Sequence, residues 1–336
     1  MPRQVHVRGL SLTVLEGPRN GPPLVLLAGL MDLWTDYVAV LPQLAQRFHV
    51  IMVEHRGHGT SQWADDGKYR VIDYADDLIA VLDTLAPGPV SISGNSLSGL
   101  IALDVAIRRP DLVRAISLED PPLFISEAPR FASHWLTPMF TSMIDALMQW
   151  RDASESLDSL PARLASLPMH RPRMEMEFAG RKVAHDRMVA QFCTGDALDE
   201  QEQARLANGW RRYLHGDRPT LGECFPQAAF RPMAEVLGTV DPRAPLHATE
   251  LRLNEGFDHL TALRAVRCPV LTLEADRVMA GIVPPADIEV MKQALQRTTH
   301  RHVLIEGAGH HIHCDAPGAF VTETADFLLS LPQVSG

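Results

Sequence analysis

Residues 93–99 read Ser93-Gly94-Asn95-Ser96-Leu97-Ser98-Gly99, between an apolar run at 89–93 (PVSIS) and a stretch of helical spacing at 97–109. The pattern is small-x-Ser-x-small at a strand-to-helix junction, a version of the G-x-S-x-G elbow that presents a nucleophilic serine. The shape has a steric logic. A sharp turn of this kind drives the serine backbone toward positive φ, and the residues two before and two after it must be small or their Cβ atoms collide. Gly94 and Ser98 meet that demand, with Ser98 where glycine is commoner and Gly99 next to it. The helix opening at Leu97 aims its first amides at the serine, where they can stabilise negative charge. Without a base in reach the same seven residues are an ordinary Gly-Ser turn, so the elbow needs a partner elsewhere in the chain.

Outward from the elbow the chain alternates short apolar runs with helical stretches. Runs at 24–28 (LVLLA), 50–54 (VIMVE), 115–119, 270–274 (VLTLE) and 302–305 read as strands, and 5–7 with 10–15 reads as an opening hairpin. Helical spacing occupies 37–48, 73–85, 97–109, 286–296 and 317–331. Strands that are apolar on most residues are buried on both faces, which is the habit of a parallel sheet, and parallel neighbours need helical crossovers. From 123 to 267 helical periodicity continues without a convincing strand. The expected architecture is α/β: a mostly parallel central sheet flanked by helices, formed by 1–122 and 268–336. A large helical cap, 123–267, is inserted after the sixth strand.

Composition narrows the function. The chain has 336 residues, enough for one large α/β domain with an insertion, and 46% hydrophobic residues, enough for a core. A net charge of −10 argues against nucleic acid as a partner, since phosphate binding needs basic stripes. The densest basic stretch, Arg171, Arg173, Arg181, Lys182 and Arg187, is interrupted by acidic residues and reads as a solvated helix face. Cys193, Cys224, Cys268 and Cys314 lack C-x-x-C spacing and read as reduced thiols. The first fifteen residues carry no signal-peptide pattern, and no run of about 18 apolar residues occurs. The expectation is a soluble cytoplasmic protein with no membrane partner; a homo-oligomer is compatible with the sequence.

The partner for the elbow is found near the C-terminus, where Gly307-Ala308-Gly309-His310-His311-Ile312-His313 follows the last strand. A loop at the carboxyl end of a strand shares one rim of the sheet with the elbow. His310, first after the Gly-Ala-Gly turn, is the candidate general base. His311 and His313 read as loop residues rather than metal ligands, because no Cys or carboxylate set stands at ligand spacing around them. The third element is Ala28-Gly29-Leu30-Met31-Asp32-Leu33-Trp34 after the 24–28 strand. Its glycine lets the backbone turn, so the Leu30 amide joins the Leu97 amide as a two-donor oxyanion hole. No cofactor or metal is called for.

Taken together, these anchors resemble the α/β-hydrolase superfamily. The oxyanion loop, the elbow and the Gly-His occur in that family's order. Glu54-His55-Arg56-Gly57-His58-Gly59-Thr60-Ser61 is similar to the D-x-R-G-x-G-x-S stretch of many members, with Glu54 in place of Asp. Members use that stretch for turn structure, which implies structural roles for His55 and His58. The resemblance covers 4–120 and 268–331; the inserted segment corresponds to the family's variable cap. It also implies a third catalytic group, a carboxylate that orients the histidine. Members usually place it after the seventh strand in G-x-x-D, but here that position reads Val278, with Asp276 two residues early. Some members, certain lactonases and dehalogenases among them, hold it just after the sixth strand. Asp120 falls there, in Leu118-Glu119-Asp120-Pro121-Pro122. Asp120 is the preferred acid, Asp276 the alternative and Glu119 a third choice.

Ser96 separates the chain from haloalkane dehalogenases and epoxide hydrolases, which use an aspartate nucleophile. Gly-Asn-Ser resembles the elbow of meta-cleavage-product hydrolases, but their Gly-rich oxyanion loop is missing. In the insertion, Leu136, Met139, Phe140, Met143, Ile144, Leu147 and Trp150 lie near helical spacing. They form either the wall of an apolar pocket or the core face of a helix. The resulting expectation is a serine hydrolase acting on a hydrophobic small-molecule ester or lactone. The alternatives are a non-catalytic ligand-binding protein on the same fold, and a cofactor-free C–C hydrolase or perhydrolase.

Overall fold

The structure, a computed structural model, describes residues 2–85, 88–134, 136–169 and 198–332. Its eight strands are β1 (Arg3–Val7), β2 (Leu10–Glu16), β3 (Pro23–Leu27), β4 (His49–Val53), β5 (Val90–Asn95), β6 (Val113–Glu119), β7 (Val270–Ala275) and β8 (His300–Ile305). They form one sheet in the order β1-β2-β4-β3-β5-β6-β7-β8. The β1–β2 and β2–β4 pairs are antiparallel and the rest are parallel. Every residue of β4 and β5 is buried, as the continuous apolar runs require.

The strand order positions the site. The chain leaves β3 for β4 on one side and returns to β5 on the other, so a crevice opens at the carboxyl ends of β3 and β5. The register sets Leu27 beside Gly94 and Asn95 beside Glu119. The loops that follow β3, β5 and β6 therefore emerge side by side, although they lie far apart in sequence.

Helices α1 (Val71–Leu85), α2 (Leu97–Arg108), α3 (His259–Ala265), α4 (Pro285–Ala294) and α5 (Pro317–Ser330) accompany the sheet. α2 packs on α1, α3, β5 and β6, which explains why nearly all of its residues are buried. One core layer joins Leu24, Leu26, Leu44, Phe48, Phe320 and Leu328, none more than 1% exposed. Each such side chain contributes roughly 1.5–3 kcal/mol of burial free energy.

Several boundaries differ from the sequence reading, and three bear on the site or the core. β5 runs on to Asn95 because β6 continues beside it to Glu119. β8 begins at His300, which pairs with Val270. The helical spacing at 37–48 yields only a 3-10 turn, Trp34–Tyr37, and one α-turn, Leu41–Leu44. Tyr37, Val40, Leu44 and Phe48 are buried as the spacing implies. Pro42, however, lacks an N–H and its ring blocks a preceding helical turn.

The chain divides into two compact units, Met1–Glu127 with Glu250–Gly336, and Ala128–Thr249. Residues 123–127 and 250–267, counted with the insertion from sequence, fall in the sheet-bearing unit. There the Val71 amide donates to Leu253 O at 2.8 Å and α3 packs on α2. The described residues of the second unit are helical at Leu136–Asp152, Leu160–Ala165, Glu200–His215, Gln227–Leu237 and Arg243–Thr249. Their strand pairing is limited to a bridge between Pro168 and Thr220. In helix Leu136–Asp152, Ile144, Leu147 and Trp150 are core residues of that unit, whereas Leu136, Met139, Phe140 and Met143 are half-buried. The basic run Arg171, Arg173, Arg181, Lys182 and Arg187, and Cys193, lie outside the described residues. Among the described residues no helix is long and apolar enough to cross a membrane.

Candidate active site

β5 ends directly in Ser96, whose φ of 54° and ψ of −123° are the strained values the elbow demands. The turn is braced from the sheet, since the Ser96 amide donates to Glu119 O at 2.9 Å. A Cβ on Gly94 would stand 2.3 Å from Ser98 O, so no side chain fits there. The serine at 98 has a task that glycine could not perform. Its buried hydroxyl donates to Ala28 O and lies 2.7 Å from His55 Nε2, tying the elbow to the loop after β3.

That loop lies against the elbow. A Cβ on Gly29 would meet Asp32 Oδ2 at 2.4 Å, Asn95 Oδ1 at 2.8 Å and Ser96 Cβ at 3.3 Å, so only glycine permits the approach. Met31 carries a φ of 70° and its amide donates to His58 Nε2 at 3.1 Å. Among the described residues, neither the Leu30 amide nor the Leu97 amide has a hydrogen-bond acceptor.

His310 follows β8 across a turn in which Gly307 takes a φ of 79°. Its Nδ1–H donates to Asp120 Oδ2 at 2.7 Å. Asp120 is wholly buried with a φ of 41°, a conformation that aspartate tolerates better than most residues. Its carboxylate also accepts the Ile282 amide at 2.9 Å and, at a long 3.4 Å, the Ala275 amide. With the Nδ1 proton directed at Asp120, the neutral ring keeps its lone pair on Nε2. Asn95 secures the loop from below, its Nδ2 donating to His310 O at 2.9 Å. The structure therefore brings His310 to Asp120 and not to Asp276. Asp276 accepts the Val278 amide at 2.9 Å and the Gly307 amide at 3.0 Å, so it braces the turn after β7 and the start of the histidine loop.

Two further acid–histidine pairs surround these groups and correct the reading of His311 and His313 as plain loop residues. His313, 1% exposed, opens onto Glu119, whose Oε1 accepts both its Nδ1–H at 2.8 Å and its backbone amide at 2.9 Å. Its ring stacks on Tyr37 at 3.9 Å. Burial opposes charge on this ring, but the Glu119 carboxylate outweighs it and holds the His313 pKa well above the ordinary value. His311 Nε2 lies 3.1 Å from Asp32 Oδ2. There too burial works against the charged ring and Asp32 overcomes it, raising the His311 pKa to about 9. Among the described residues no group of three or more His, Cys, Asp or Glu side chains is disposed to hold a metal.

Sequence reasoning missed Asn95 and the Glu119–His313 pair. Asn95 stands inside the quoted elbow, and a polar residue closing an otherwise apolar strand is the signal that could have flagged it. The Glu119–His313 pair spans 194 residues and has no local signal.

Comparison with known proteins agrees with this fold. A family profile described as alpha/beta hydrolase fold matches residues 22–317. The chain is similar to 2-(acetamidomethylene)succinate hydrolase of Mesorhizobium japonicum, 32% identical over 38% of this chain and 45% of that one, so the match spans less than half of the relative. It is similar over a longer stretch to (E)-2-((N-methylformamido)methylene)succinate hydrolase of Acinetobacter baylyi, 25% identical over 83% of this chain and 92% of that one. Among solved structures, an enol-lactonase from Burkholderia xenovorans superposes with a TM-score of 0.61 over 98% of this chain and 100% of the other, at 19% identity, a likeness of fold. A sheet of this order, a strained serine at its switch point and a profile match over most of the length lead to one assignment: the chain belongs to the α/β-hydrolase fold family.

Proposed function

We propose that this chain is a hydrolase that cleaves a carboxylic ester or lactone of a hydrophobic small molecule through an acyl-enzyme formed on Ser96. The observation that carries the reading is the 2.7 Å contact between His310 Nδ1 and the buried Asp120 carboxylate, on the rim that also holds the Ser96 elbow. In this reading Ser96 Oγ attacks the carbonyl carbon and its proton passes to His310 Nε2. The carbonyl oxygen becomes an oxyanion received by the amides of Leu30 and Leu97, each such donor being worth roughly 10²–10³ in rate. The imidazolium then returns the proton to the departing alkoxide and the acyl group stays on Ser96. Water enters, His310 takes its proton, the acyl–serine bond breaks and the acid leaves. Asp120 holds the ring in the Nδ1–H tautomer and stabilises its charged form.

The steps of this reading call for no cofactor. Among the described residues Cys224, Cys268 and Cys314 are free thiols, which suits the reducing cytoplasm expected from sequence.

A second reading comes from the near full-length similarity to a methylene-succinate hydrolase. On the same three residues, the substrate would be a small unsaturated acid carrying an amide. The test is p-nitrophenyl ester turnover across a range of acyl lengths, beside an (acylaminomethylene)succinate with its products analysed, for the unmodified chain, Ser96→Ala and His310→Ala. We expect both substitutions to abolish ester turnover while the fold is retained. Substantial activity in either defeats the acyl-enzyme, binding without turnover favours a ligand-binding protein, and preference for the succinate favours the second reading.

A further inference from the structure

The loop after β4 contributes His55 and His58, which the sequence reading assigns to turn structure. Both rings are buried and meet edge to face at 5.9 Å. Each reaches 27 residues back to the loop after β3. His55 Nε2 lies 3.1 Å from Ala28 O and 2.7 Å from Ser98 Oγ. His58 gives its Nδ1–H to Arg56 O at 2.9 Å, which leaves Nε2 to accept the Met31 amide at 3.1 Å.

Peptide geometry turns these contacts into an orientation. A trans peptide unit is rigid and planar. Holding the Ala28 carbonyl fixes the unit between residues 28 and 29, and holding the Met31 amide fixes the unit between 30 and 31. The unit between them carries Gly29 C=O and Leu30 N–H, which point in opposite directions. Gly29 O is turned toward the Asp32 amide at 3.4 Å, so the Leu30 N–H is turned the other way. Glycine at 29 would otherwise leave this the loosest unit of the loop. Met31, at a φ of 70°, needs an outside contact to stay where it is.

We propose that His55 and His58 are positioning residues for the oxyanion turn, clamping the peptide units on both sides of the Leu30 amide so that this donor faces Ser96. The inference rests on the reading that the Leu30 amide receives the oxyanion. Burial and the neighbouring His58 ring push the His55 pKa down to about 3, so His55 stays neutral and serves as a donor to the Ala28 carbonyl.

The test uses the full chain with p-nitrophenyl butyrate as substrate and phenylboronic acid as an inhibitor that forms a tetrahedral adduct. His58→Leu removes the acceptor, and His58→Gln puts an amide oxygen near the place of Nε2. We expect His58→Leu to lower kcat by about 10²-fold, the cost of one misplaced oxyanion donor, with KM changed by a few-fold at most. Boronate affinity should fall in parallel, and His58→Gln should recover at least roughly tenfold of the loss, which a merely structural role would not do. If His58→Leu fails to fold, His58→Asn, whose side chain is too short to meet the Met31 amide, serves with the same expectation. Unchanged kcat in the variants, a loss carried by KM, or His58→Gln no better than His58→Leu overturns the inference while leaving the hydrolase reading intact. Absence of Ser96-dependent turnover in the unmodified chain is a different result: it overturns the hydrolase reading and the inference with it.

Discussion

The turns after β6 and β7 each hold an aspartate beside the histidine loop, and the two are put to different uses. Asp120 directly follows β6. It is wholly buried, its φ is 41°, and it accepts the ring proton of His310. Asp276 directly follows β7, has an ordinary extended backbone and accepts two amides, those of Val278 and Gly307. The two turns are physically joined, since the Asp120 amide donates to Leu273 O in β7. Their backbones differ as well: Asp120 is left-handed and its carboxylate meets His310, whereas Asp276 is extended and its carboxylate caps its own turn. Glu119, the last residue of β6, adds a third case: its carboxylate meets His313 and Tyr37.

Exchanging the loads of these carboxylates breaks or sharpens the comparison. The largest effect is expected from Asp120→Asn, a loss of roughly 10³–10⁴ in kcat with the fold retained. Asp276→Asn should cost less than about tenfold in kcat and roughly 1 kcal/mol of unfolding free energy, the value of a lost cap. Steady-state kinetics with urea unfolding reads both, and the reverse ranking of the two kcat losses would overturn the assignment of the acid. Next comes Glu119→Gln, which leaves the buried His313 ring without its counter-charge. Unfolding free energy should fall by about 3–5 kcal/mol, and a loss under 1 kcal/mol would mean the pair is not charged as inferred. The smallest effect belongs to His311. Its raised pKa means that its pairing with Asp32 stabilises the fold fully below about pH 6.5 and loses that contribution as the pH rises through about 9. Partial exposure limits the term to about 1 kcal/mol or less. His311→Gln should flatten the corresponding slope of stability against pH; an unchanged slope would assign it to other groups.

The ease of reading differed along the chain for physical reasons. The strands were legible because a sheet buried on both faces needs continuous apolar runs, and the elbow because steric exclusion around a strained serine leaves few residue choices. The spacing at 37–48 predicts a helix that does not form, because apolar spacing reports which residues are buried, not whether the backbone between them is helical, and Pro42 decides the latter. The carboxylates could be narrowed to Asp120, Asp276 and Glu119 by their position at the ends of two strands, with Asp120 preferred on the family resemblance. The contact with His310 itself joins residues 190 positions apart and has no local signal.

By itself the amino-acid sequence determined the α/β architecture, and it singled out Ser96 and His310 as the candidate nucleophile and base. These follow from local rules, periodicity and crowding, that act within a few residues. Only the tertiary structure decided the partners: Asp120 for His310, Glu119 for His313, Asp32 for His311, and His55, His58 and Ser98 for the turn after β3. Those pairings join residues 27 to 279 positions apart. They exist because parallel register and a chain reversal at β3 and β5 bring separate loops to one rim, where each buried polar group must find a partner.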